Sequence, residues 1–296
     1  MTRGDHRSAG KYEGRLAVVT GAGSGIGRAL TVALVRAGAH VAAWDVNSQG
    51  LAETQAACGA EHVTTYQVDV ADRDAVLACA QEVRTQHGPA SLLFNNAGVD
   101  LGASVADMSW KDFDWLMGIN VGGVVNGTVA FLPQLIESGS AHNPARLVNL
   151  SSAFGLMAVP FQGAYCTSKF AVRGFTEALR QEMIIERQPV TVHCVHPGVV
   201  KTNFGANMRA ASAPDKEMAE KLFERSALTT AEKAAHLILR GAGKNRARIL
   251  IGADGRVAAA MPRLLGAGYI ELLARLTRMA DTRAGREARR QERVND

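Results

Sequence analysis

The chain has 296 residues, of which 47% are hydrophobic and 21% charged, with a formal net charge of +5. This hydrophobic content is that of a globular protein with a sizeable core, and it excludes a disordered chain. Much of the excess charge lies in five arginines near the C-terminus, so the rest of the chain is close to neutral. We therefore expect no nucleic-acid partner, because no basic groove with interleaved aromatic residues is found. The five arginines are Arg283, Arg286, Arg289, Arg290 and Arg293.

Neither end of the chain nor its cysteines point to export or to a membrane. Residues 1–10 contain no apolar segment, so we expect no secretory signal. No uncharged apolar run reaches the roughly 20 residues that span a bilayer, so we expect no integral membrane segment. The four cysteines have no metal-ligand spacing, which predicts buried thiols, a reducing compartment and no metal site. A cytoplasmic protein is the expectation.

Short apolar runs alternate with longer helical patterns, which is typical of a doubly wound parallel sheet. The predicted strands are Leu16–Thr20, His40–Asp45, His62–Gln67, Leu92–Asn95, Ala145–Leu150, Thr191–His196 and Arg248–Ile251. The predicted helices are Ile26–Ala37, Gly50–Cys58, Asp72–Gln86, Ser109–Glu137, Tyr165–Glu186 and Ala231–Arg240. The pattern predicts a single Rossmann-like α/β domain with a parallel seven-stranded sheet and helices on both faces.

The chain is predicted to contain a flexible tail over 1–12, the α/β domain over 13–256 and a C-terminal helical extension over 257–296. Within the extension, an amphipathic helix is expected after a break marked by Pro262, and an arginine-rich tail follows it. Three roles stay open for this helix: a membrane-surface anchor, a subunit-contact or pocket-closing arm, or a helix docked on its own core.

The segment Gly21-Ala-Gly-Ser-Gly25-Ile-Gly27 lies between the first predicted strand and the first predicted helix. Glycines permit a tight turn and close approach to a pyrophosphate, and the helix N-terminus offers free N–H groups and a positive dipole end. A tight turn without a ligand is the alternative, but its position between strand and helix favours a dinucleotide site. The residues expected at the cofactor are Gly21, Ser24, Gly25, Ile26 and Gly27.

Asp45 ends the second predicted strand, where an acidic residue would accept hydrogen bonds from the adenosine ribose and repel a 2′-phosphate. Neither Trp44 nor Val46 supplies a compensating cation, so NAD is favoured over NADP. A solvated turn aspartate is the alternative. Arg28 follows the loop closely, but on the helix we expect it to face away.

Tyr165 and Lys169 stand four residues apart on a predicted helix, so their side chains share a face. A free phenol has a pKa near ~10, and a nearby ammonium or an oxidised nicotinamide favours the phenolate. Such tuning suits general acid–base catalysis. Ser152 would hydrogen-bond the substrate oxygen and hold it against Tyr165. The alternative is an exposed Tyr–Lys pair on a solvated helix face, which the glycine loop and Ser152 make less favourable.

Six motifs in chain order resemble those of the short-chain dehydrogenase/reductase family in its shorter, non-extended form, over about residues 14–252. They are Thr20-Gly-Ala-Gly-Ser-Gly-Ile-Gly27, Asn95-Asn-Ala-Gly98, Ile119-Asn120, Asn149-Leu-Ser-Ser152, Tyr165-x-x-x-Lys169 and His196-Pro-Gly198. The resemblance implies Tyr165 as the acid/base and Ser152 as the substrate-orienting group. It further implies that Lys169 binds the nicotinamide ribose and lowers the tyrosine pKa, and that Asn120 holds a water of a proton relay.

The resemblance also implies further cofactor contacts and an assembly. The adenine would contact Asp69 and Val70, and the adenosine ribose would lie beside Asn96, Ala97 and Gly98. The nicotinamide amide would contact Pro197, Gly198, Val200 and Thr202. In this family the helices predicted from Ser109 and from Tyr165 pair between subunits, which implies a homodimer or homotetramer.

Apolar residues cluster after Ser152 and again between Thr202 and Ser226, which predicts an apolar pocket under a lid near 203–228. The segment Val99–Ser104 would line the same cavity. Packing of these side chains against one another is the alternative. The expected substrate contacts are Ser152, Phe154, Met157, Phe161 and Tyr165.

These observations predict an NAD-dependent oxidoreductase that interconverts a hydrophobic secondary alcohol and a ketone by hydride transfer to or from nicotinamide, with Tyr165 moving the proton. Two other functions are weighed against it. A non-catalytic NAD-sensing regulator could keep the fold, but it would be expected to lose Tyr165, Lys169 or Ser152. A peripheral membrane reductase of lipid-like substrates would share the chemistry and differ in location.

Overall fold

The computed structural model describes residues 11–202, 204–205, 208–210 and 228–279. Seven strands pair in parallel to form one sheet. They are β1 (Leu16–Thr20), β2 (His40–Asp45), β3 (Val63–Gln67), β4 (Leu92–Asn95), β5 (Ala145–Leu150), β6 (Val190–Pro197) and β7 (Arg248–Ile251). Their order across the sheet is β7-β6-β5-β4-β1-β2-β3. The predicted fold class is therefore confirmed.

Helices connect the strands and cover both faces of the sheet. They are α1 (Gly25–Arg36), α2 (Ser48–Cys58), α3 (Arg73–His87), α4 (Trp110–Met117), α5 (Gly123–Ser138), α6 (Gly163–Ile185), α7 (Ala231–Gly243) and α8 (Gly252–Leu265). A further helix, α9, occupies 268–279. Two short parallel pairs lie outside the main sheet, joining Leu101–Gly102 to Arg209–Ala210 and Val200–Lys201 to Thr229–Thr230.

The core has two layers because successive residues of a strand point to opposite faces. On β1, Ala17 and Val19 face the layer that contains residues of α1, α2 and α7. Val18 faces the layer that contains residues of α3, α5 and α6. β1 lies between β4 and β2, so the strand order reverses there, and ligands of such sheets bind in the crevice beyond the carboxyl ends of the strands at this point.

Two expectations about the ends of the domain are wrong. Tyr12, which we assigned to a flexible tail, is only 1% exposed and donates its hydroxyl to the Leu239 carbonyl oxygen. Helix α8 begins directly after β7 and contains Pro262, so the chain does not break at that proline. The break falls instead at 266–267, between α8 and α9. The tails over 1–10 and 280–296 lie outside the described residues.

The long helix predicted over Ser109–Glu137 is interrupted. A π-helical turn over Gly118–Gly122 separates α4 from α5. By length and composition alone, the continuous stretch Trp110–Ser138 is apolar enough to cross a membrane, with a mean hydropathy of 1.4. Phe131 and Leu135 of this stretch, however, are fully buried in the layer against the sheet. A helix that packs in a protein core can pass the same test of length and composition.

Candidate active site

The glycine loop between β1 and α1 brings backbone atoms unusually close together. Gly21 has a φ of 66°, and a Cβ there would lie 2.9 Å from the Ala97 Cα. A Cβ on Gly27 would lie 2.0 Å from the Gly21 carbonyl oxygen, so only glycine fits this first turn of α1. Ser24 is the N-cap residue of α1 and makes no capping hydrogen bond with its side chain. The first-turn N–H groups of α1 therefore remain available to a phosphate.

Asp45, at the end of β2, folds its carboxylate onto the glycine loop. It accepts hydrogen bonds from the Gly23 N–H at 2.8 Å and the Asn47 N–H at 2.9 Å. The predicted acidic residue therefore lies directly beside the loop at the adenosine end of the crevice.

The expectation that Arg28 faces away from the loop is wrong. Its guanidinium donates to the Gly23 carbonyl oxygen, and it also forms an ion pair with Glu53 at 2.8 Å and a hydrogen bond to Thr54 at 3.0 Å. Residues of α2 thus hold this arginine in place against the underside of the loop.

The end of β4 is tied to the end of β1 by short polar contacts. The Thr20 hydroxyl accepts hydrogen bonds from the Asn96 and Ala97 N–H groups, each at 3.0 Å. The Asn96 side-chain amide donates to the Thr20 carbonyl oxygen at 2.9 Å and to that of Gly21 at 3.2 Å. Asn96 and Ala97 are therefore placed against the glycine loop, and their expected position beside the adenosine ribose stays a prediction.

Two further groups of predicted cofactor residues, those expected at the adenine and at the nicotinamide amide, also border the crevice. Asp69 caps its own turn by accepting from the Ala71 N–H at 2.9 Å, and Val70 packs against Gly123 at the start of α5. At the other end, Thr202 reaches the glycine loop, since a Cβ on Gly25 would lie 3.1 Å from its Cγ2.

The loop after β6, which contains Pro197, Gly198 and Val200, is held from two sides. Gly198 donates its N–H to the Ile251 carbonyl oxygen at 3.0 Å. The Asp254 carboxylate on α8 accepts from the Val199 N–H. Sequence reasoning missed Asp254, because nothing in the chain order brings the start of α8 to this loop.

The three predicted proton-transfer residues meet in the middle of the crevice. Tyr165 and Lys169 lie on α6, and the Lys169 Nζ is 5.5 Å from the centroid of the tyrosine ring. Ser152, the second residue after β5, lies beside Tyr165 and lowers the pKa of its phenol. All three are at least nine-tenths buried. The neighbouring Ser151 turns the other way and donates its hydroxyl to the Lys169 carbonyl oxygen at 2.8 Å.

Asn120 completes this group from the π-helical turn. Its amide nitrogen donates to the Val99 carbonyl oxygen and to the Ser168 hydroxyl, each at 3.0 Å, and its oxygen accepts from the Val99 N–H at 2.8 Å. A Cβ on Gly98 would lie 3.1 Å from the Asn120 oxygen and 3.2 Å from the Lys169 Nζ. Asn120 and Lys169 thus flank Gly98, and π-helical turns are frequent at such functional sites.

Burial controls the charges of the site. It raises the pKa of the Tyr165 phenol, which the Asp100 carboxylate raises further and the hydrogen bond with Ser152 lowers. Burial lowers the pKa of Lys169 to about 8, against the opposing effect of Asp100. The lowered tyrosine pKa expected from Lys169 is therefore opposed by desolvation of the phenolate, which has the largest influence on this group.

Asp100 is a charged residue of the site that the sequence analysis did not single out, although it lies within the predicted pocket-lining segment. It is 8% exposed, and burial raises its pKa to about 6, against the Leu101 N–H and Lys169, which lower it. Its carbonyl oxygen accepts from the Arg209 N–H at 3.1 Å. In the sequence, an aspartate two residues after Asn-Ala-Gly cannot be distinguished from a solvated aspartate of a loop.

Of the predicted substrate residues, Phe154 lies at the tyrosine. Its ring is edge-on to the Tyr165 ring, with ring centroids 6.3 Å apart. The Phe204 ring also contacts Tyr165, with ring centroids 6.1 Å apart. Met157 is 8% exposed and packs against Ala258 of α8 in a cluster that also includes Phe154. Phe161 is 59% exposed and belongs to none of the apolar clusters of the described residues. Most of the predicted lid lies outside the described residues.

The crevice fits a dinucleotide. The close-packed glycine loop leaves no room for side chains, the first turn of α1 presents N–H groups, and a carboxylate stands at the adenosine end. Asp45 suits a ribose, the glycine loop suits phosphates and Tyr165 suits proton transfer. This order along the crevice matches the order of the parts of NAD(H).

Comparison with known proteins gives the same result. The family model for the short chain dehydrogenases matches residues 15–213. The protein named SadH from Mycobacterium tuberculosis is 45% identical over 267 residues, which cover 89% of this chain and 95% of SadH. Human estradiol 17-beta-dehydrogenase 11 is 35% identical over 215 residues, covering 70% of this chain and 69% of that enzyme.

A solved structure of a short chain dehydrogenase/reductase from Burkholderia phymatum in complex with NAD has a TM-score of 0.78. It is 29% identical, and the match covers 88% of this chain and 96% of that one. The chain therefore belongs to the short-chain dehydrogenase/reductase family, a family of oxidoreductases, and its site residues fit NAD(H).

Proposed function

We propose that the protein interconverts a secondary alcohol and a ketone, with Tyr165 as the group that moves the proton. The observation that carries this proposal is the joint burial of Tyr165, Ser152 and Lys169 in apolar surroundings, with the Lys169 Nζ 5.5 Å from the centroid of the tyrosine ring. Two hydroxyls at one point can both hydrogen-bond a single substrate oxygen, which is what orientation of a carbonyl requires.

Each residue of the group has its own part in the proposed reaction. When bound, NAD supplies or takes the hydride at its nicotinamide. Ser152 orients the substrate oxygen, and Tyr165 donates a proton to it during reduction or removes one during oxidation. Lys169 and an oxidised cofactor together favour the phenolate that oxidation needs. Asn120 fixes the segment of Gly98 beside Lys169, on the path by which the proton reaches solvent.

We also propose NAD over NADP. Asp45 places a negative charge beside the glycine loop, where it would repel a 2′-phosphate. Arg28 is the nearby cation, but it forms an ion pair with Glu53 and donates a hydrogen bond to the Gly23 carbonyl oxygen. A phosphate would have to break this pairing to gain the arginine.

An apolar substrate is supported by the residues around Tyr165. The tyrosine belongs to a cluster with Leu101, Leu116 and Ala164, against which Phe154 and Phe204 pack. The name of the human relative is that of a dehydrogenase of estradiol, a large apolar alcohol. Both observations favour a bulky hydrophobic alcohol or ketone over a small polar one.

The test is formation of reduced nicotinamide, followed by absorbance, with NAD or NADP and a panel of aromatic, alicyclic and long-chain secondary alcohols. We expect turnover with NAD and a fall of about 10²–10⁴-fold in kcat for Tyr165→Phe. NAD affinity of this variant, measured by fluorescence titration, should change little.

Two results would contradict the proposal. Unchanged turnover in Tyr165→Phe would remove the tyrosine from the reaction. Tight NAD binding without turnover of any alcohol, or of the matching ketones with NADH, would favour an NAD-sensing protein instead.

We further propose that the protein is a cytoplasmic homo-oligomer whose subunits pair through α5 and α6. Val129 on α5 is 60% exposed and Phe170 on α6 is 39% exposed, as expected of faces that a partner covers. Light scattering on the purified protein tests this, and a monomeric mass at micromolar concentration would contradict it.

A further inference from the structure

Helices α8 and α9 have a packed apolar side and, beside it, apolar side chains that are exposed. On the inner side, Ala258 of α8 packs against Ala153 and Met157 of the segment that follows Ser152, and Tyr269 and Leu273 of α9 join the same cluster. This contact already satisfies the need of an amphipathic helix to bury one face. Any further apolar surface on these helices therefore needs another explanation.

Exposed apolar side chains flank this packed side. Among the described residues, seventeen large apolar side chains are exposed, and seven of them lie in α8 or α9. Leu264 is 81% exposed and Val257, seven residues before it, is 53% exposed, so the two share one face of α8. The seven side chains are Val257, Leu264, Leu265, Ile270, Leu272, Leu276 and Met279. We refer to these seven residues as the outer apolar face.

Arginines flank this surface. On α8, Arg256 and Arg263 are exposed and seven residues apart, so they form a stripe beside Val257 and Leu264. On α9, Arg275 and Arg278 are exposed, and Glu271 is the single exposed acidic residue there. An apolar helix face with a basic border is the pattern of a helix that lies in the headgroup region of an anionic membrane.

We propose that the outer apolar face docks the protein on an anionic lipid surface. Two other occupants fit the charge pattern less well. A second copy bound through the same face would bring like-charged arginine stripes together. The chain that follows, over 280–296, has five arginines, four acidic residues and Val294 as its one large apolar residue, so its sequence offers little apolar area to bury against this face.

The proposal is independent of the substrate and of the reaction. It predicts that docking places α8 and α9 between the lipid and the segment after Ser152, because the inner side of the same helices packs on that segment.

The experiment is co-sedimentation of the purified full-length protein with phosphatidylcholine vesicles, with and without phosphatidylglycerol. We expect partitioning onto the vesicles that contain phosphatidylglycerol, weakened by high salt. The combined change Leu264→Ser, Leu272→Ser and Leu276→Ser should lower the partition coefficient at least about tenfold, since it removes apolar area that lipid would bury. The matched control is Ile184→Ser with Ile185→Ser, which removes exposed apolar side chains at the end of α6.

The basic border has its own variant pair. Arg256→Gln with Arg263→Gln should lower binding to anionic vesicles about 30-fold, which corresponds to about 1 kcal/mol per arginine. Arg36→Gln with Arg240→Gln, two exposed arginines elsewhere, should have a smaller effect. Unchanged thermal unfolding and NAD affinity would show that every variant is folded.

Three outcomes would overturn the proposal. The first is that the protein stays in the supernatant with both kinds of vesicle. The second is that the α6 control loses as much binding as the leucine variant. The third is that the leucine variant changes the mass of the protein in solution without lipid, which would assign the face to a second copy. None of these outcomes bears on alcohol turnover in solution, so the proposed function stands or falls separately.

Discussion

The two ends of the crevice are built in different ways. The cofactor end, consisting of the glycine loop 21–27 with Asp45 and the segment 95–98, is held by backbone atoms and short hydrogen bonds, with approaches as close as 2.8 Å between Asp45 and Gly23. At the proposed substrate end, the segment 151–162 contacts α8 and α9 through apolar side chains and through a long hydrogen bond of 3.4 Å from the Ala158 N–H to the Tyr269 hydroxyl.

This difference indicates how each end tolerates change. A close-packed backbone has no room for another atom, so a change at the cofactor end should affect binding severely. Apolar contacts between partly buried side chains are non-directional and can rearrange, so the substrate end should tolerate substitution and alter preference instead.

The largest effect is expected for Gly27→Ala at the cofactor end. The new methyl group would meet the Gly21 carbonyl oxygen, so the loop must move, and we expect NAD affinity to fall at least about 100-fold with a loss of several kcal/mol in stability. The control is Gly174→Ala, another helical glycine, whose added methyl group meets nothing within 4 Å. This control should be neutral or stabilise α6 by up to about 1 kcal/mol. Equal NAD affinity in both variants would show that the loop is not close-packed.

A smaller effect is expected for Asp45→Ala. Losing the acceptor of the Gly23 and Asn47 N–H groups should weaken NAD by about 10- to 100-fold and improve NADP relative to NAD. Glu53→Gln should also improve NADP, because it frees Arg28, but should leave NAD affinity unchanged. Isothermal titration with both cofactors measures the ratio. A wild-type preference for NADP would show that the argument from Asp45 is wrong.

Between the two ends, Asp100→Asn tests the electrostatics of the catalytic group. The carboxylate raises the pKa of Tyr165, so its removal should lower that pKa. The acid limb of the pH profile for alcohol oxidation should then move to lower pH, and the rate below neutral pH should rise by less than about tenfold. Asp114→Asn removes an exposed charge on α4 and is the control. A move of the limb to higher pH would contradict the assignment.

The smallest effect is expected for Leu273→Ala at the substrate end. This side chain of α9 is partly buried against the segment that follows Ser152, so its truncation should cost about 1 kcal/mol in stability. We expect KM for an apolar alcohol to rise by about two- to fivefold with NAD affinity unchanged. Tyr269→Phe, which removes the hydroxyl that accepts from Ala158, should change less still. An equal loss of NAD affinity would show that the two ends are coupled.

Much of the cofactor end could be predicted because its function depends on residue type at fixed spacing. A turn that admits only glycine, and a tyrosine four residues before a lysine on a helix, are visible in the letters themselves. The strands were predicted almost to the residue for the same reason, since buried parallel strands are short apolar runs between turn residues.

The substrate end could not be predicted to the same degree. Met157 and Phe161 are both apolar residues of one loop, and nothing in their spacing shows that the first packs under α8 while the second is mostly exposed. Asp100 likewise becomes a buried charge only because Tyr165 and Lys169, more than sixty residues later, are folded against it.

The sequence by itself determined the family, the parallel sheet and the glycine loop, and it indicated the candidate proton-transfer residues, because each depends on local backbone geometry or on side chains within one helical turn. Only the tertiary structure decided the π-helical turn at Asn120, the burial of Tyr12, the pairing of Arg28 with Glu53 and the packing of α8 and α9 on the segment after Ser152. These features depend on contacts between distant segments, whose free energies come from packing and desolvation and leave no periodic pattern in the chain.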